Sequence, residues 1–383
     1  MIPLSTPHLS GNEWKYVKEC LDTNWVSSAG KYVDLFEQEI AKYTGAKYAV
    51  ACVSGTAALH VSLRLAGVIP GDEVIAPTMT FISPINAIAY NGASPVFMDA
   101  DDYYNIDSQK TIQFILEETK FRNGFTYNKT SGKRISAIIL VHVWGNAVWL
   151  DELIEFCAER NIVVVEDACE SLGTRYIEGT YSGKHTGTIG RFGCLSFNGN
   201  KIITTGGGGM ILTDDEELAG KARYLSTQAK DDSVRYIHDE IGYNFRLTNV
   251  QAAIGVAQLE QLSGFLQQKR EIHNQYYLAL KDVQGLKLAG VPDYANNNHW
   301  FNVVQVDSSV YGKDRESLME LLEKNEIQTR PVWALNHLQK PFRGSQTYAI
   351  DNANKQLDYS LCFPSSTNLT KDEIDIILAL LNG

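Results

Sequence analysis

Residues 135–165 read ISAIILVHVWGNAVWLDELIEFCAERNIVVV, and this stretch decides the fold class. Two continuous apolar runs, Ile135–Val143 and Ile162–Val165, flank a segment with helical spacing, Leu150–Arg160. Continuous apolar runs are typical of strands buried on both faces, and therefore of a mostly parallel sheet. The same alternation of strand and helix patterns extends over residues 47–215. We therefore expect a doubly wound α/β domain.

The chain divides into three predicted regions. We expect an N-terminal arm at residues 1–30, a large domain at 31–250, and an interdomain helix with a small C-terminal α+β domain at 251–383. The interdomain helix begins in the pattern Val250–Leu280, which is broken only at Ser263-Gly264. The polar segment 120–133 is predicted to be a surface insertion.

Composition excludes several classes of protein. The 383 residues are 44% apolar, which is typical of a globular chain. A net charge of −11 argues against a nucleic acid as partner. The N-terminal stretch lacks a signal-peptide pattern, and no apolar run approaches the ~18 residues of a membrane span, so we expect a cytoplasmic protein without a membrane partner. The six cysteines are scattered without zinc-ligand spacing, which predicts reduced thiols and no metal site.

A lysine near a glycine run is the first candidate for chemistry. Lys201 follows an apolar strand pattern and precedes four glycines in the run SFNGNKIITTGGGGM, residues 196–210. A lysine in such a loop can act as a Schiff-base nucleophile toward an aldehyde. A surface lysine beside an ordinary turn produces the same pattern.

Two further motifs lie where predicted strands end. Ser54, Gly55 and Thr56 open a predicted helix, where free amides and hydroxyls make a phosphate site, although simple helix capping is the alternative. Asp167 ends a buried strand, where open α/β sheets bind their ligands. Its carboxylate can pair with a protonated ring nitrogen, or it can be a loop acid or helix cap.

Aromatic and polar residues complete the set. Phe81 follows the strand pattern Val74–Pro77 and can stack on a flat cofactor or pack in the core. Asn244 and Arg246 lie in the run Gly242–Asn249, which is also compatible with a helix N-cap. A phosphate cradle, an aromatic ring, an aspartate at a strand end and a loop lysine are the contacts that pyridoxal 5'-phosphate needs.

These residues give the chain a clear resemblance to a known family. It resembles the DegT/DnrJ/EryC1/StrS family of pyridoxal-phosphate-dependent nucleotide-sugar aminotransferases over nearly its whole length. The resemblance implies an aspartate aminotransferase-like fold, of fold type I. The motifs that carry it are NWVSSAG at 24–30, SGTAAL at 54–59, GDEVIAPTMTF at 71–81, EDACESLG at 166–173, SFNGNKIITTGGGGM at 196–210, GYNFRLTNVQAAIG at 242–255 and TRPVW at 329–333.

The resemblance also implies a role for individual residues. Lys201 would be the catalytic lysine and proton shuttle, and Asn244 would reach the cofactor phosphate of the neighbouring subunit in a homodimer with shared active sites. Many members carry Gln where this chain has Glu170, and a carboxylate there is favourable only when it is protonated or bonded to a nitrogen cation. The cofactor-binding set is Ser54, Gly55, Thr56, Phe81, Asp167, Glu170, Ser196, Asn198, Lys201 and Asn244, and the substrate candidates are Trp25, Arg246, His299, Arg330 and His337.

The implied reaction is amino transfer from L-glutamate to C4 of a 4-keto-6-deoxy nucleotide sugar for surface glycan biosynthesis. Resemblance to the bacillosamine and legionaminic acid branch favours a UDP-linked 2-acetamido sugar, with GDP-4-keto-6-deoxymannose as the alternative. The candidate cations for the diphosphate are Arg330, His337 and Lys31. Trp25 and Trp333 are candidates for the base slot. A sugar 3-dehydrase would carry His in place of Lys201, and a non-catalytic cofactor-binding regulator lacks support from any basic patch.

Overall fold

A ten-stranded mixed sheet forms the centre of the structure, a computed structural model that describes residues 1–232 and 234–381. This sheet confirms the predicted α/β class with a mostly parallel centre. The strands of this sheet and of the smaller sheets are β1 (Tyr48–Cys52), β2 (Glu73–Pro77), β3 (Ser94–Met98), β4 (Thr119–Arg122), β5 (Phe125–Asn128), β6 (Arg134–Val141), β7 (Val163–Asp167), β8 (Arg175–Tyr176), β9 (Phe192–Ser196), β10 (Gly209–Thr213), β11 (Leu286–Leu288), β12 (Ala295–Asn296), β13 (Asn302–Val306), β14 (Arg330–Pro331), β15 (Thr347–Tyr348) and β16 (Ser360–Phe363).

Helices cover both faces of this sheet and surround a smaller one. They are α1 (Glu13–Asp22), α2 (Lys31–Thr44), α3 (Gly55–Leu65), α4 (Ile82–Tyr90), α5 (Ser108–Glu117), α6 (Asp151–Glu159), α7 (Glu216–Ser226), α8 (Asn249–Leu280), α9 (Ser308–Tyr311), α10 (Arg315–Lys324), α11 (Asn352–Tyr359) and α12 (Lys371–Leu381). Within the described residues, none of these helices is both long enough and apolar enough to cross a membrane.

The strand order gives the sheet a parallel centre that is buried on both faces. The main path runs β1-β10-β9-β7-β6-β2-β3-β15. Each neighbouring pair from β9 to β15 is parallel, whereas β10 is antiparallel to both β1 and β9. On β6, Ile139 joins the apolar cluster on one face while Ile138 and Leu140 join the cluster on the other. Burial on both faces is the reason for the continuous apolar runs in the sequence.

The smaller sheet, ordered β11-β13-β16-β14, is antiparallel and packs against the end of α8. The N-terminal residues lie along this part of the chain. The Ile2 amide donates to the Glu326 carbonyl (2.7 Å), and the Ser365 amide donates to the Leu4 carbonyl (2.9 Å). The predicted arm therefore packs on its own chain, with residues 1–6 beside the small sheet and α1 against α8.

Two sequence expectations need correction. The predicted break at Ser263-Gly264 is wrong, because α8 is continuous for 32 residues, and a side chain at Gly264 would meet only open space. The segment 120–133 is largely exposed, as predicted, but it is not an irregular insertion: it forms a hairpin in which β4 pairs with β5, and β5 pairs with the first residues of β6. Phe125 and Tyr127 occupy alternate positions of β5, a strand pattern that is weak because the rest of the segment is polar.

A buried carboxylate ties together the strand ends at the centre of the sheet. Glu166 on β7 accepts hydrogen bonds from His142 Nε2 (2.9 Å) and from the amides of Gly187 (2.8 Å), Ile189 (2.7 Å) and Gly190 (2.6 Å). The Val148 amide donates to His142 Nδ1 (3.1 Å), so the Nε2 proton faces Glu166. Burial opposes ionisation of Glu166, but the bonds from His142 and the glycine amides outweigh it and lower the pKa of this carboxyl.

We expect Glu166→Ala to destabilise the protein by about 3–5 kcal/mol, because it leaves four buried donors without an acceptor. Urea unfolding at neutral pH measures the change. Because the pKa of Glu166 is lowered, its contribution exists above the ordinary carboxyl pKa and is lost as the pH falls through the lowered value. The gap between wild type and variant should therefore shrink in acid. The exposed Glu178→Ala is the matched control, with an expected change within about 0.5 kcal/mol; an equal loss in both variants would contradict the assignment.

Candidate active site

A cleft of about 520 Å³ opens where the carboxyl ends of the central strands meet the N-terminus of α3 and the small sheet. Ten of the predicted site residues line it, although they come from five separate stretches of sequence. They are Ser54, Gly55, Thr56, Phe81, Asp167, Glu170, Ser196, Asn198, Lys201 and Arg330.

The start of α3 forms one end of the cleft. Ser54 caps the helix, and its Oγ accepts from the Ala57 amide (3.1 Å), while Thr56 Oγ1 donates to Ser83 Oγ (3.0 Å). A Cβ on Gly55 would lie 2.7 Å from Cys169 Sγ and 3.0 Å from Ser196 Cβ, so only glycine fits here. The first amides of a helix have no acceptor within it, and this end can therefore hold an anion.

Asp167 lies at the end of β7 and faces the cleft from the sheet side. It is 4% exposed, and its Oδ1 accepts from the Cys169 amide (3.1 Å). Burial raises the pKa of this carboxyl, against the lowering influence of the Cys169 hydrogen bond and the Lys201 charge. A cationic N–H donor brought to Asp167 would therefore favour its ionised form.

Lys201 lies between a carboxylate and an aromatic ring. Its Nζ is 3.5 Å from Glu170 Oε1 and 3.9 Å from the centre of the Trp300 ring, and the side chain is only 14% exposed. Glu170 Oε2 accepts from the Trp144 amide (2.9 Å). Burial raises the pKa of Glu170, and the Lys201 charge and the Trp144 hydrogen bond oppose the shift. Glu170 is thus hydrogen-bonded on one side to the Lys201 amine and on the other to the Trp144 amide.

Aromatic side chains form the opposite wall. Phe81 is 51% exposed at the rim, and its ring centre is 6.4 Å from that of Trp333. Trp333 in turn packs on Trp144 with centres 5.2 Å apart. The cleft therefore combines an anion site, a buried acid, a buried amine and an apolar wall, an arrangement suited to a flat anionic ligand.

Two predicted histidines lie outside the lining. The His299 ring is buried and stacks on His273 with centres 4.0 Å apart, and burial lowers the pKa of His299 to about 3. His337 Nδ1 is 2.7 Å from Thr78 Oγ1, and burial lowers its pKa as well. The neighbouring Asn336 amide group donates to the Thr78 and Thr80 carbonyls. Both histidines therefore make structural contacts in this chain, and a substrate role remains a proposal.

Three other predicted residues are exposed away from the cleft of their own chain. Asn244 and Arg246 lie on the segment 228–247, whose exposed apolar side chains include Val234, Tyr236 and Ile241. Trp25 lies beside the start of α2 in a different depression, and its carbonyl accepts from Asn249 Nδ2 (2.7 Å).

Several residues of the cleft carry no recognisable signal in the sequence. Trp144, Trp300 and Leu4 line the cleft but belong to no motif. Trp144 has a positive φ of 52°, which is unusual for a bulky residue, and the following Gly145 lies against Asn298. The glycine after Trp144 was the one local signal of a tight turn; the other two residues reach the cleft only through tertiary packing.

Comparison with known proteins gives a consistent result. Residues 7–382 match the model of the DegT/DnrJ/EryC1/StrS aminotransferase family. EpsN of Bacillus subtilis, which bears the name of a pyridoxal phosphate-dependent aminotransferase, is 39% identical and is matched over 100% of this chain and 96% of its own. A GDP-perosamine synthase of Caulobacter vibrioides is 36% identical, with 100% and 97% covered. The solved structure of the aminotransferase TlmJ from Streptoalloteichus hindustanus has a TM-score of 0.88 at 27% identity, with 100% and 98% covered.

We expect Gly55→Ala to weaken binding of pyridoxal phosphate by about tenfold or more, because the new Cβ displaces the start of α3 from Cys169 and Ser196. Absorbance titration of the apoprotein measures the affinity. Alanine is the better helix former, so loss of the helix is not the cause. Gly220→Ala in α7, where a Cβ meets open space, is the control and should bind like wild type. Equal affinities of the two variants would disprove close packing at Gly55 as the determinant.

Proposed function

Because the chain belongs to the DegT/DnrJ/EryC1/StrS aminotransferase family, whose members are pyridoxal phosphate-dependent sugar aminotransferases, we propose that it transfers the amino group of L-glutamate to C4 of a 4-keto-6-deoxy nucleotide sugar. The observation that carries this proposal is the convergence of Lys201, Asp167 and the start of α3 on one cleft. The family match covers the enzyme class, and the donor and the position of amination are part of the proposal.

The residues of the cleft fit pyridoxal phosphate. The start of α3, with Gly55 and Thr56, would hold the phosphate, and Ser196 would contribute its hydroxyl. Asp167 would accept a hydrogen bond from the protonated ring nitrogen. The positive charge of that nitrogen would offset the burial that raises the pKa of this carboxyl. Phe81 would cover the ring face. When bound, the cofactor draws electron density away from the carbon next to the transferred nitrogen.

The chain's own groups would then move the proton. Among the residues that the structure describes, Lys201 supplies the one side-chain amine of the cleft lining, and its Nζ would carry a proton between the reacting carbon atoms. Glu170, 3.5 Å away, would hold Nζ in place and accept its hydrogen bond. Burial of both groups excludes water from the proton's path. Asn198, which also lines the cleft, would contact the cofactor.

Arg330 and the aromatic wall would bind the sugar nucleotide. Arg330 is an exposed cation in the cleft lining, suited to a diphosphate. Trp333 would supply an apolar surface for the sugar or the base. The remaining substrate candidates from the sequence are Arg246, Trp25, His299 and His337. They would contact the sugar nucleotide only if a partner subunit or a moved loop completes the cleft.

Two nucleotides are candidates. Resemblance in residues 198–210 and 328–337 supports a UDP-linked 2-acetamido-4-keto-6-deoxyhexose. Similarity to GDP-perosamine synthase at 36% identity supports GDP-4-keto-6-deoxymannose as the second candidate. A lysine at position 201 favours amino transfer over sugar 3-dehydration for either nucleotide.

We expect the purified holoenzyme to form a 4-amino sugar nucleotide from glutamate, with the higher kcat/KM for the UDP sugar. Mass spectrometry of reactions with each sugar, run side by side, identifies the products. Lys201→Ala is the control and should lose activity by several orders of magnitude, because no other side-chain amine of residues 1–232 and 234–381 lines the cleft. A higher kcat/KM with the GDP sugar would reverse the choice of nucleotide. Absence of an amino sugar from both reactions would refute amination at C4.

We further propose a homodimer in which Asn244 completes the partner's active site. Exposed apolar side chains accompany Asn244 on the same segment: Val234 is 82% exposed and Ile241 is 80% exposed. Apolar surface of this kind is typical of a protein interface. A symmetric contact would bring a second copy of the cleft next to each Asn244.

Mixing two inactive variants tests the shared site. Lys201→Ala and Asn244→Ala chains should each be weak alone. In the mixed dimer one site collects both changes and the other neither, so random exchange should restore about a quarter of wild-type activity. Native mass spectrometry confirms that subunits have exchanged. Activity equal to the sum of the separate variants after exchange would show that Asn244 acts within its own chain.

A further inference from the structure

Trp300 is a buried tryptophan in the cleft that no motif singles out. Its side chain and backbone are 2% exposed, and its ring lies over Lys201 with 3.9 Å between Nζ and the ring centre. The ring therefore forms one side of the space that the amine occupies, and Glu170 forms another. A lysine side chain has four rotatable bonds, so an amine without such walls would sample many positions.

Hydrogen bonds fix this ring from several directions. The indole Nε1 donates to the carbonyl of Asn200 (2.7 Å), the residue that precedes Lys201. The backbone amide of Trp300 donates to Asn298 Oδ1 (3.0 Å), and its carbonyl accepts from the buried Lys269 Nζ (2.9 Å). The indole thus holds both the amine of Lys201, through its face, and the loop that carries it, through its N–H.

Asn298 links the two walls around Lys201. While its Oδ1 accepts from Trp300, its Nδ2 donates to the Glu170 carbonyl (2.8 Å) and to the Leu172 carbonyl (3.0 Å). One amide group therefore sets the distance between the segment with Glu170 and the segment with Trp300. A shift of either segment would change the position of Nζ.

We propose that Trp300 is a positioning residue for amino transfer, whose ring keeps the Lys201 amine beside Glu170 whenever that amine is not covalently bound. The attraction between an ammonium group and an indole face adds to the purely steric wall. The indole N–H contributes separately, because it ties the Asn200–Lys201 loop to the same side chain. The proposal rests on the proposed function in one respect: Lys201 must be the lysine that binds the cofactor.

Two substitutions separate the ring face from the hydrogen bond. Trp300→Phe keeps an aromatic face and loses the N–H, while Trp300→Leu loses both. In single-turnover reactions of the holoenzyme with L-glutamate we expect a slowing of about threefold for Phe and about thirtyfold for Leu. The glutamate concentration at half-saturation should change less than about twofold, because Trp300 acts on Lys201 and not on the donor.

A spectroscopic readout tests the same point without turnover. Visible circular dichroism of the bound cofactor reports its orientation relative to the lysine. The signal should fall in Trp300→Leu and recover in Trp300→Phe. Trp149→Leu is the control, because Trp149 packs on Tyr294 away from the cleft, and it should leave rate and dichroism unchanged. Thermal melting shows that each variant is folded.

The outcomes are distinct. A folded Trp300→Leu enzyme with wild-type rate and dichroism would overturn the positioning role. If Trp300→Leu does not fold, Trp300→Phe alone decides. A Trp300→Phe enzyme that is slowed thirtyfold or more relative to wild type would overturn the positioning role, and so would one with the wild-type rate and dichroism. Borohydride reduction followed by peptide mapping checks the premise. Cofactor fixed to a lysine other than Lys201 would refute the lysine assignment itself, whereas fixation at Lys201 with unaltered Trp300 variants would refute only the present proposal.

Discussion

The hydrogen bonds to Glu166 are the constraint on which the cleft depends. This carboxylate accepts from the end of β6 through His142 and from the loop that leads into β9 through three amides. Successive side chains of a strand point to opposite faces. With Glu166 fixed on one side of the sheet, Asp167 must face the other, where the cleft lies. A single buried anion on β7 thus links the end of β6 to the segment that leads into β9, and it orients the acid that lines the site.

Polar side-chain amides perform a similar task between the large and small parts of the chain. Asn298 bonds to the segment after β7, and Asn336 bonds to the turn that carries Phe81. Each amide uses donors and acceptors that would be costly to bury without partners. Their pairing leaves few alternative arrangements of the two parts, so the cleft between them has a defined width. Buried amides are therefore as important to this site as the residues that would touch a ligand.

The sequence predicted the parts of the fold and site that follow from local pattern. Continuous apolar runs identified β6 and β7, and the strand-end rule identified Asp167. The glycine-rich loop and the helix start identified Lys201 and Gly55. Trp300 and Trp144 were missed because their positions depend on contacts between distant segments, which no spacing rule reports. His299, which the family resemblance makes a substrate candidate, lies outside the cleft lining in this chain, because its ring is buried against His273 of α8.

The pairing of β15 with β3 has a consequence for biosynthesis. β3 ends at Met98, whereas its neighbour β15, Thr347–Tyr348, is synthesised much later. The hydrogen bond of the Ile2 amide likewise forms only after Glu326 has been synthesised. A ribosome would therefore release most of the large sheet with one edge unpaired, and exposed edges recruit other chains. Until residues 347–348 have been synthesised, β3 remains without its partner strand on that side.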